Sequence, residues 1–338
     1  MPVLESTSLT PSIESMNPCG LKYHNEGAID LTTENEAAYD CYRIRPRVLR
    51  DLTGLDASTT IFGTKVTFPF GFSPSAMQAL AHLDGEVGTS KAAAAVGVPM
   101  GLSNYSTVAL EDVISHAKGN PYAMQISMLK NKEANIRLIR RTEKAGFKAL
   151  LVTLDAPYLG RRLKEFRNSF GVPRVMEYPN PFPDVDVTDL EDADESMAYD
   201  SSIEWPELMP FFLYTIQDPE LTIKYGLDGI IISNHGGRQL DTAPATIDVL
   251  REISPVAKGR IAIAVDGGIR RGTDIFKALP PSVDFCFAGR PAIWGLAYNG
   301  ANGAELALKL LYDDFKTTLA MSGCRNVQEL SNQSLSLL

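Results

Sequence analysis

The sequence predicts an α/β chain folded as a single closed (β/α)8 barrel of parallel strands. Three observations lead there. From about residue 60, short apolar runs alternate with amphipathic stretches, and runs that are apolar on both faces are typical of parallel strands covered by helices. No glycine fingerprint of the dinucleotide-binding kind follows an early strand, which weighs against the rival architecture, an open doubly wound sheet. Polar residues instead close almost every run: Ser75, Ser103, Gln125, Thr153 with Asp155, Asn234 with His235, Asp266 and Arg290. In a barrel those strand ends meet on one rim, the rim where ligands are handled.

The elements follow in order. Residues 1 to about 20 are rich in Ser, Thr and Pro and are expected to lie loosely on the surface, ahead of a barrel domain over 21–338. Strands are predicted at Phe68–Pro74, Val98–Asn104, Tyr122–Ser127, Leu150–Asp155, Gly229–Asn234, Ile261–Gly267 and Phe285–Gly289, with a weaker eighth at Phe211–Thr215. Helices fall between them. Gly85–Val96 is Ala-rich and stops at Gly97; Glu133–Ala145 stops at Gly146, a C-cap residue. Leu308, Leu311, Phe315 and Leu319 repeat at helical spacing and should face the core. Residues 156–205 break the rhythm with five prolines and an acidic run from Asp184 to Glu195. So long a polar insertion reads as a lid or a disordered loop, and its acidic side chains, lacking metal-ligand spacing, read as solvated.

The gross numbers bound the function. The 338 residues suit one barrel with insertions. Lys plus Arg is 32 against 41 Asp plus Glu, a net charge of -9, so the basic footprint of a nucleic-acid binder is absent. No run reaches the roughly 20 apolar residues of a membrane helix, and the N-terminus lacks the pattern of a secretory signal. Cys19, Cys41, Cys286 and Cys324 stand far apart, which suits reduced thiols in a cytoplasmic protein better than a disulfide framework or a metal site. The chain ends Ser-Leu-Leu, not the peroxisomal Ser-Lys-Leu.

Three motifs carry chemistry. Ser233–Asp241 reads SNHGGRQLD directly after an apolar strand. Its glycines let the backbone approach a ligand, its imidazole can take a proton near neutral pH, and its guanidinium can grip a carboxylate through two parallel hydrogen bonds. Asp266-Gly267-Gly268-Ile269-Arg270 closes a later strand and Gly289-Arg290 the last one. Loops after the final two strands of such barrels commonly hold phosphate. Each motif alone is weak; two at the correct strands are much stronger.

Together with AGRPAIWGLAYNG, LDAPYLGRR, SPSAMQALAHLDGE and NEAAYDCYRIRPRVLRD, these motifs resemble the FMN-dependent 2-hydroxy-acid oxidases and dehydrogenases, the glycolate and lactate oxidase type. The likeness runs from about Tyr23 to Val327. It implies FMN as cofactor, a small 2-hydroxy acid or a related small carboxylated metabolite as substrate, and a homotetramer. By the same resemblance His235 is the base and Asp155 stabilises its charged form. Tyr23, Ser127, Arg162 and Arg238 fall at substrate-binding positions. Pro74, Ser75 and Ala76 pass the flavin's reactive nitrogen with their backbone. Ser103, Gln125, Thr153 and Ser233 contact ring or ribityl chain, and Asp266, Gly267, Gly268, Ile269, Arg270, Gly289 and Arg290 hold ribityl and phosphate.

The chain departs from that family in three places. The helix that usually precedes the YHNEGA segment is missing. The family's third strand ends Gln-Leu-Tyr, where this chain has Gln125-Ile126-Ser127; Tyr105 stands for a bulkier residue after the second strand. The fifth strand lacks its Leu-Lys-Gly run: Tyr214 is the nearest aligned residue, about ten residues are absent between Trp205 and Asp218, and Lys224 belongs to the next helix. Two function classes follow. One is an FMN-dependent oxidoreductase with an altered pocket. The other is a truncated or mis-spliced, non-catalytic or weakly active barrel.

Overall fold

The computed structural model describes residues 29–129, 131–155, 167, 176–181, 217–280 and 283–337. In chain order its elements are α1 (Ile29–Ala38), β1 (Tyr42–Ile44), β2 (Thr59–Ile61), β3 (Thr64–Val66), β4 (Phe70–Phe72), α2 (Gly85–Val96), β5 (Met100–Ser103), α3 (Leu110–Ile114), β6 (Tyr122–Ile126), α4 (Lys132–Ala145), β7 (Ala149–Val152), α5 (Gln217–Lys224), β8 (Gly229–Ile232), α6 (Thr246–Ala257), β9 (Ala262–Val265), α7 (Gly272–Ala278), β10 (Phe285–Ala288), α8 (Arg290–Met321) and β11 (Leu335–Leu337). They fall into two compact units. The first takes its described residues from Phe72–Glu204 and Gly289–Leu308, the second from Gly27–Gly71, Trp205–Ala288 and Lys309–Leu338.

In the first unit the end of β4, β5, β6 and β7 run parallel, in register Phe72↔Met100, Met100↔Tyr122 and Ala123↔Ala149. All four residues of β5 are buried, Ser103 at its end being the one polar side chain among them. Helix α2 lays Ala92, Ala93 and Ala94 inward and ends where Gly97 turns left-handed, φ 76°. Asn131 caps α4 by accepting from Ala134 N, and Gly146, φ 92°, stops it. Arg141 reaches from α4 to both carboxylate oxygens of Glu111 in α3, at 3.0 and 2.8 Å. Helix α8 breaks at Asn299 and Gly300, and Ala301 N donates to Asp84 there.

In the second unit β8, β9 and β10 run parallel, with Ile230↔Ile263 and Phe285↔Ala264. Cys286 N donates to Pro69 O at 3.0 Å, just ahead of β4. Strands β2 and β3 form a hairpin whose turn residues Phe62 and Gly63 both have positive φ, 50° and 71°. Val66, with Ile61 and Phe62, packs on Ala264, Phe285 and Phe287. Phe68 stacks on Phe70 and meets Tyr312 and Phe315 edge-on or tilted. Strand β1 pairs antiparallel with β11.

Each of the seven predicted runs overlaps a parallel strand; β7, β8, β9 and β10 stop before Thr153, Asn234, Asp266 and Arg290, while Ser103 and Gln125 stand inside β5 and β6. Both predicted helix ends, Gly97 and Gly146, are where they were expected. The N-terminal segment, the run Phe211–Thr215 and most of the 156–205 insertion lie outside the described residues. Among the described residues Cys41, Cys286 and Cys324 are free thiols, and no helix is long and apolar enough to cross a membrane.

Candidate active site

In the second unit, β8 delivers Ser233 and Asn234 into a tight turn over His235–Gly237. His235, Gly236 and Gly237 are all left-handed, φ 55°, 63° and 76°. For the two glycines this is free; for His235 it costs about 1–2 kcal/mol and must be held by its surroundings. His235 N donates to Ser233 Oγ at 3.1 Å. Gly237 N donates to the Asn234 side-chain oxygen at 3.2 Å. His235 and Arg238 are both half-buried, the exposure expected of side chains that meet a ligand.

The next loop of that unit leaves β9 with Asp266 N donating to Ile232 O at 3.0 Å. Gly267 and Gly268 follow with φ 99° and 77°. A Cβ on Gly268 would drive into the backbone oxygen of Asn35, so only glycine fits. Ile269 is wholly buried, hence any part it takes in ligand binding is through its backbone. Arg270 pairs with Glu36 at 2.7 Å. Burial pulls the guanidinium below its ordinary pKa, and Glu36 opposes that shift. The backbone N–H groups of Arg270 and Arg271 both donate to Asp274, 3.0 and 2.9 Å; burial raises the Asp274 carboxyl and these donors counter it.

The first unit wires three strand ends together. Gln125 donates to Thr153 Oγ1 at 2.8 Å and Ser127 Oγ at 3.0 Å, and accepts from Asn104 N at 3.3 Å. Ser103 Oγ accepts from Tyr105 N. The Pro74–Ala76 segment lies against β5 so closely that a Cβ on Gly101 would stand 2.7 Å from the Pro74 ring. Behind it, Gln78 donates from its side chain to Ser75 O at 3.2 Å and from its backbone to Glu86. Thr107 donates to the same carboxylate from both N and Oγ1. Burial lifts the Glu86 pKa against those three donors. Gly289 and Arg290 open α8, where helix N–H groups emerge. A Cβ at Gly289 would sit 2.9 Å from Ser75 Oγ. Asp155 follows β7, half-buried.

Gln125, Ser127 and Thr153 are thus brought together, as are Ser75 with Gly289 and Ser233 with His235. Tyr23 and Arg162 lie outside the described residues. Asn35, Glu36, Tyr39, Gln78, Glu86 and Asn104 also support these loops and strand ends, beyond the residues expected from sequence. A signal for three of them was present: Asn35, Glu36 and Tyr39 follow Thr32 at i+3, i+4 and i+7, a polar stripe where a helix ordinarily carries an apolar one.

Each unit by itself carries groups suited to a phosphorylated, polyhydroxylated ligand: strand-end hydroxyls and an amide in the first, glycine-lined loops and a buried guanidinium in the second. Parallel strands that end in such groups define the ligand-binding α/β barrel class. The chain belongs to the FMN-dependent dehydrogenase family, which it matches over residues 14–208 and 213–337. It is 48% identical over 334 residues to oxidase FUB9 of Fusarium oxysporum f. sp. lycopersici, covering 94% of this chain and 86% of that protein. It is 39% identical over 333 residues to the glycolate oxidase of Spinacia oleracea, covering 93% and 90%. Among solved structures, a lactate oxidase of Pediococcus acidilactici superposes with a TM-score of 0.90 at 30% identity, covering 100% of this chain and 96% of that one. The fold is the (β/α)8 barrel and the cofactor is FMN. The family match begins before Tyr23 and breaks at 209–212, inside the stretch where the Leu-Lys-Gly run is lacking.

Proposed function

We propose that this enzyme oxidises a small 2-hydroxy acid to the 2-oxo acid. The SNHGGRQLD loop carries that reading: it holds the backbone of a half-buried histidine left-handed, three residues before a half-buried arginine. FMN would supply the two-electron acceptor, with oxygen or another acceptor as the final electron sink. His235 takes the substrate proton, and Asp155 stabilises the imidazolium that results. Arg238 and Arg162 hold the substrate carboxylate, with Tyr23 beside them. Ser127, short where a long side chain could stand, leaves room for a substituent larger than that of glycolate. Pro74, Ser75 and Ala76 would flank the flavin with their backbone. Ser103, Gln125, Thr153 and Ser233 would hold ring and ribityl. Asp266, Gly267, Gly268, Ile269, Arg270, Gly289 and Arg290 would hold ribityl and phosphate.

Glycolate, lactate and mandelate, on which its relatives and the mandelate oxidases among its solved neighbours act, suggest the probes. Purified protein should be yellow and should bleach anaerobically with glycolate, (S)-lactate or (S)-mandelate, the bulkiest reacting at least as well as glycolate. Colourless protein that ignores added FMN sinks the reading. A homotetramer and a cytoplasmic location belong to the same proposal; light scattering on the eluted protein tests the first and cell fractionation the second.

A further inference from the structure

Four polar side chains on one face of α1 and the turn after it serve two loops of the second unit. Thr32 Oγ1 donates to Gly236 O at 3.4 Å. Asn35 and Asn234 exchange hydrogen bonds, each amide donating to the other's oxygen, at 2.9 and 2.7 Å. Both residues are 2% exposed. The Asn35 oxygen also accepts from Thr246 N, the first residue of α6, at 3.3 Å, so the pair is anchored to a second helix. Glu36 takes Arg270, and Tyr39 OH donates to Gly267 O at 3.3 Å. Lys277 Nζ in turn donates to Tyr39 O at 3.0 Å.

A buried pair of this kind is demanding. Two amides satisfying each other, with every further bond made to backbone, tolerate little change of distance or rotation. The Asn234 oxygen that accepts from Asn35 is the one that accepts from Gly237 N. Asn35 therefore fixes the acceptor that closes the turn His235–Gly237, and that turn keeps His235 left-handed against its own preference.

We propose that α1 is a brace for both loops, and that Asn35 is a positioning residue that sets the imidazole of His235 through Asn234, while Glu36 sets Arg270. The inference rests on the reading of His235 as the base.

Two variants and two readouts test it. His235 can be carbethoxylated with diethylpyrocarbonate and followed by peptide mass spectrometry, with His82 and His116 of the same chain as internal references. In Asn35→Ala the turn is released, so the His235 rate should rise relative to both references. FMN affinity, titrated on the apoprotein, should hold. With the best of the three acids, kcat should fall about 10- to 100-fold with little change in KM, the loss expected of a displaced base. Asn35→Asp keeps the shape and the acceptor for Thr246 N but cannot donate to Asn234; it should show the same signs and decides the matter if the alanine variant does not fold. Glu36→Gln should weaken FMN and leave the His235 rate ratio at the wild-type value. A folded Asn35 variant with wild-type His235 ratio overturns the proposal. So does a rise shared equally by all three histidines, which would mean general loosening. If His235→Ala turns over normally while Asn35→Asp still shifts the ratio, the brace stands and the assignment of the base fails.

Discussion

Glu86 shows how a single buried charge can be decided by its donors. Its carboxylate is fully buried and accepts from Gln78 N, Thr107 N and Thr107 Oγ1. Glu86→Ala strands two backbone N–H groups at about 1–3 kcal/mol each, so urea unfolding should show a loss of several kcal/mol. Glu86→Gln keeps the oxygen for both N–H donors and can give its amide to Thr107 Oγ1, so the loss should be small. The pH dependence has a definite sign. Burial raises the folded pKa above the unfolded one, so the cost of ionising Glu86 is absent below the unfolded pKa and complete above the folded one. The stability of Glu86→Gln relative to wild type should therefore improve as pH rises from below the ordinary carboxylate range to neutrality. A trend the other way would mean the hydrogen bonds outweigh burial. At the proposed base, His235→Ala should cost about 10²–10⁴-fold in flavin reduction while FMN stays bound. Arg238→Lys should raise KM, since a point charge replaces a two-pronged grip; an unchanged KM would remove Arg238 from the carboxylate.

At the scale of elements, α8 reverses a usual expectation. Alanine for glycine in a helix ordinarily gains about 1 kcal/mol. Here the break at Asn299 and Gly300 brings Gly295 against Gly303, and a Cβ on Gly303 would enter Gly295 O. Gly303→Ala should instead destabilise by about 1–3 kcal/mol, the usual cost of overpacking, and a melting temperature at or above wild type would refute it. Such close approaches explain what sequence can and cannot show. Strands such as β4 and β10 were legible because a strand buried on both faces is apolar throughout, as Phe70–Phe72 and Phe285–Ala288 are. Strand ends were read too long because Pro74, Asn104 and Ser127 continue the run without continuing the ladder. The β2–β3 hairpin went unseen because Phe62 occupies a left-handed turn position where Asn or Gly is the recognisable signal. The chemistry of Ser233–Asp241 was legible from residue types and their place after a strand. Its support was not, because Asn35 and Asn234 are 199 positions apart and nothing local marks them as partners.

For the whole molecule the deciding quantities are FMN linkage and the lacking Leu-Lys-Gly run. A ligand that binds only the folded state stabilises it by about 2.7 kcal/mol at a hundredfold excess over Kd, so melting temperature should climb steadily with added FMN. A flat response would mean that the purified chain does not bind the cofactor. The family match breaks at 209–212, and between Trp205 and Asp218 the sequence offers no lysine. A cation beside a flavin favours its negatively charged forms. At about 4 Å and an effective dielectric of 20, such an interaction is worth roughly 4 kcal/mol. Without it the bound flavin should have a low midpoint potential for this family, and sulfite, which adds to oxidised flavin and leaves negative charge on the ring, should bind weakly. Turnover should be slow even with His235 intact. Inserting about ten residues with a Leu-Lys-Gly centre between Pro210 and Asp218 should raise sulfite affinity, potential and turnover together. Tight sulfite binding and fast turnover in the unaltered chain would show instead that another cation fills the role, and the guanidinium groups assigned here to substrate and phosphate would be the first to test.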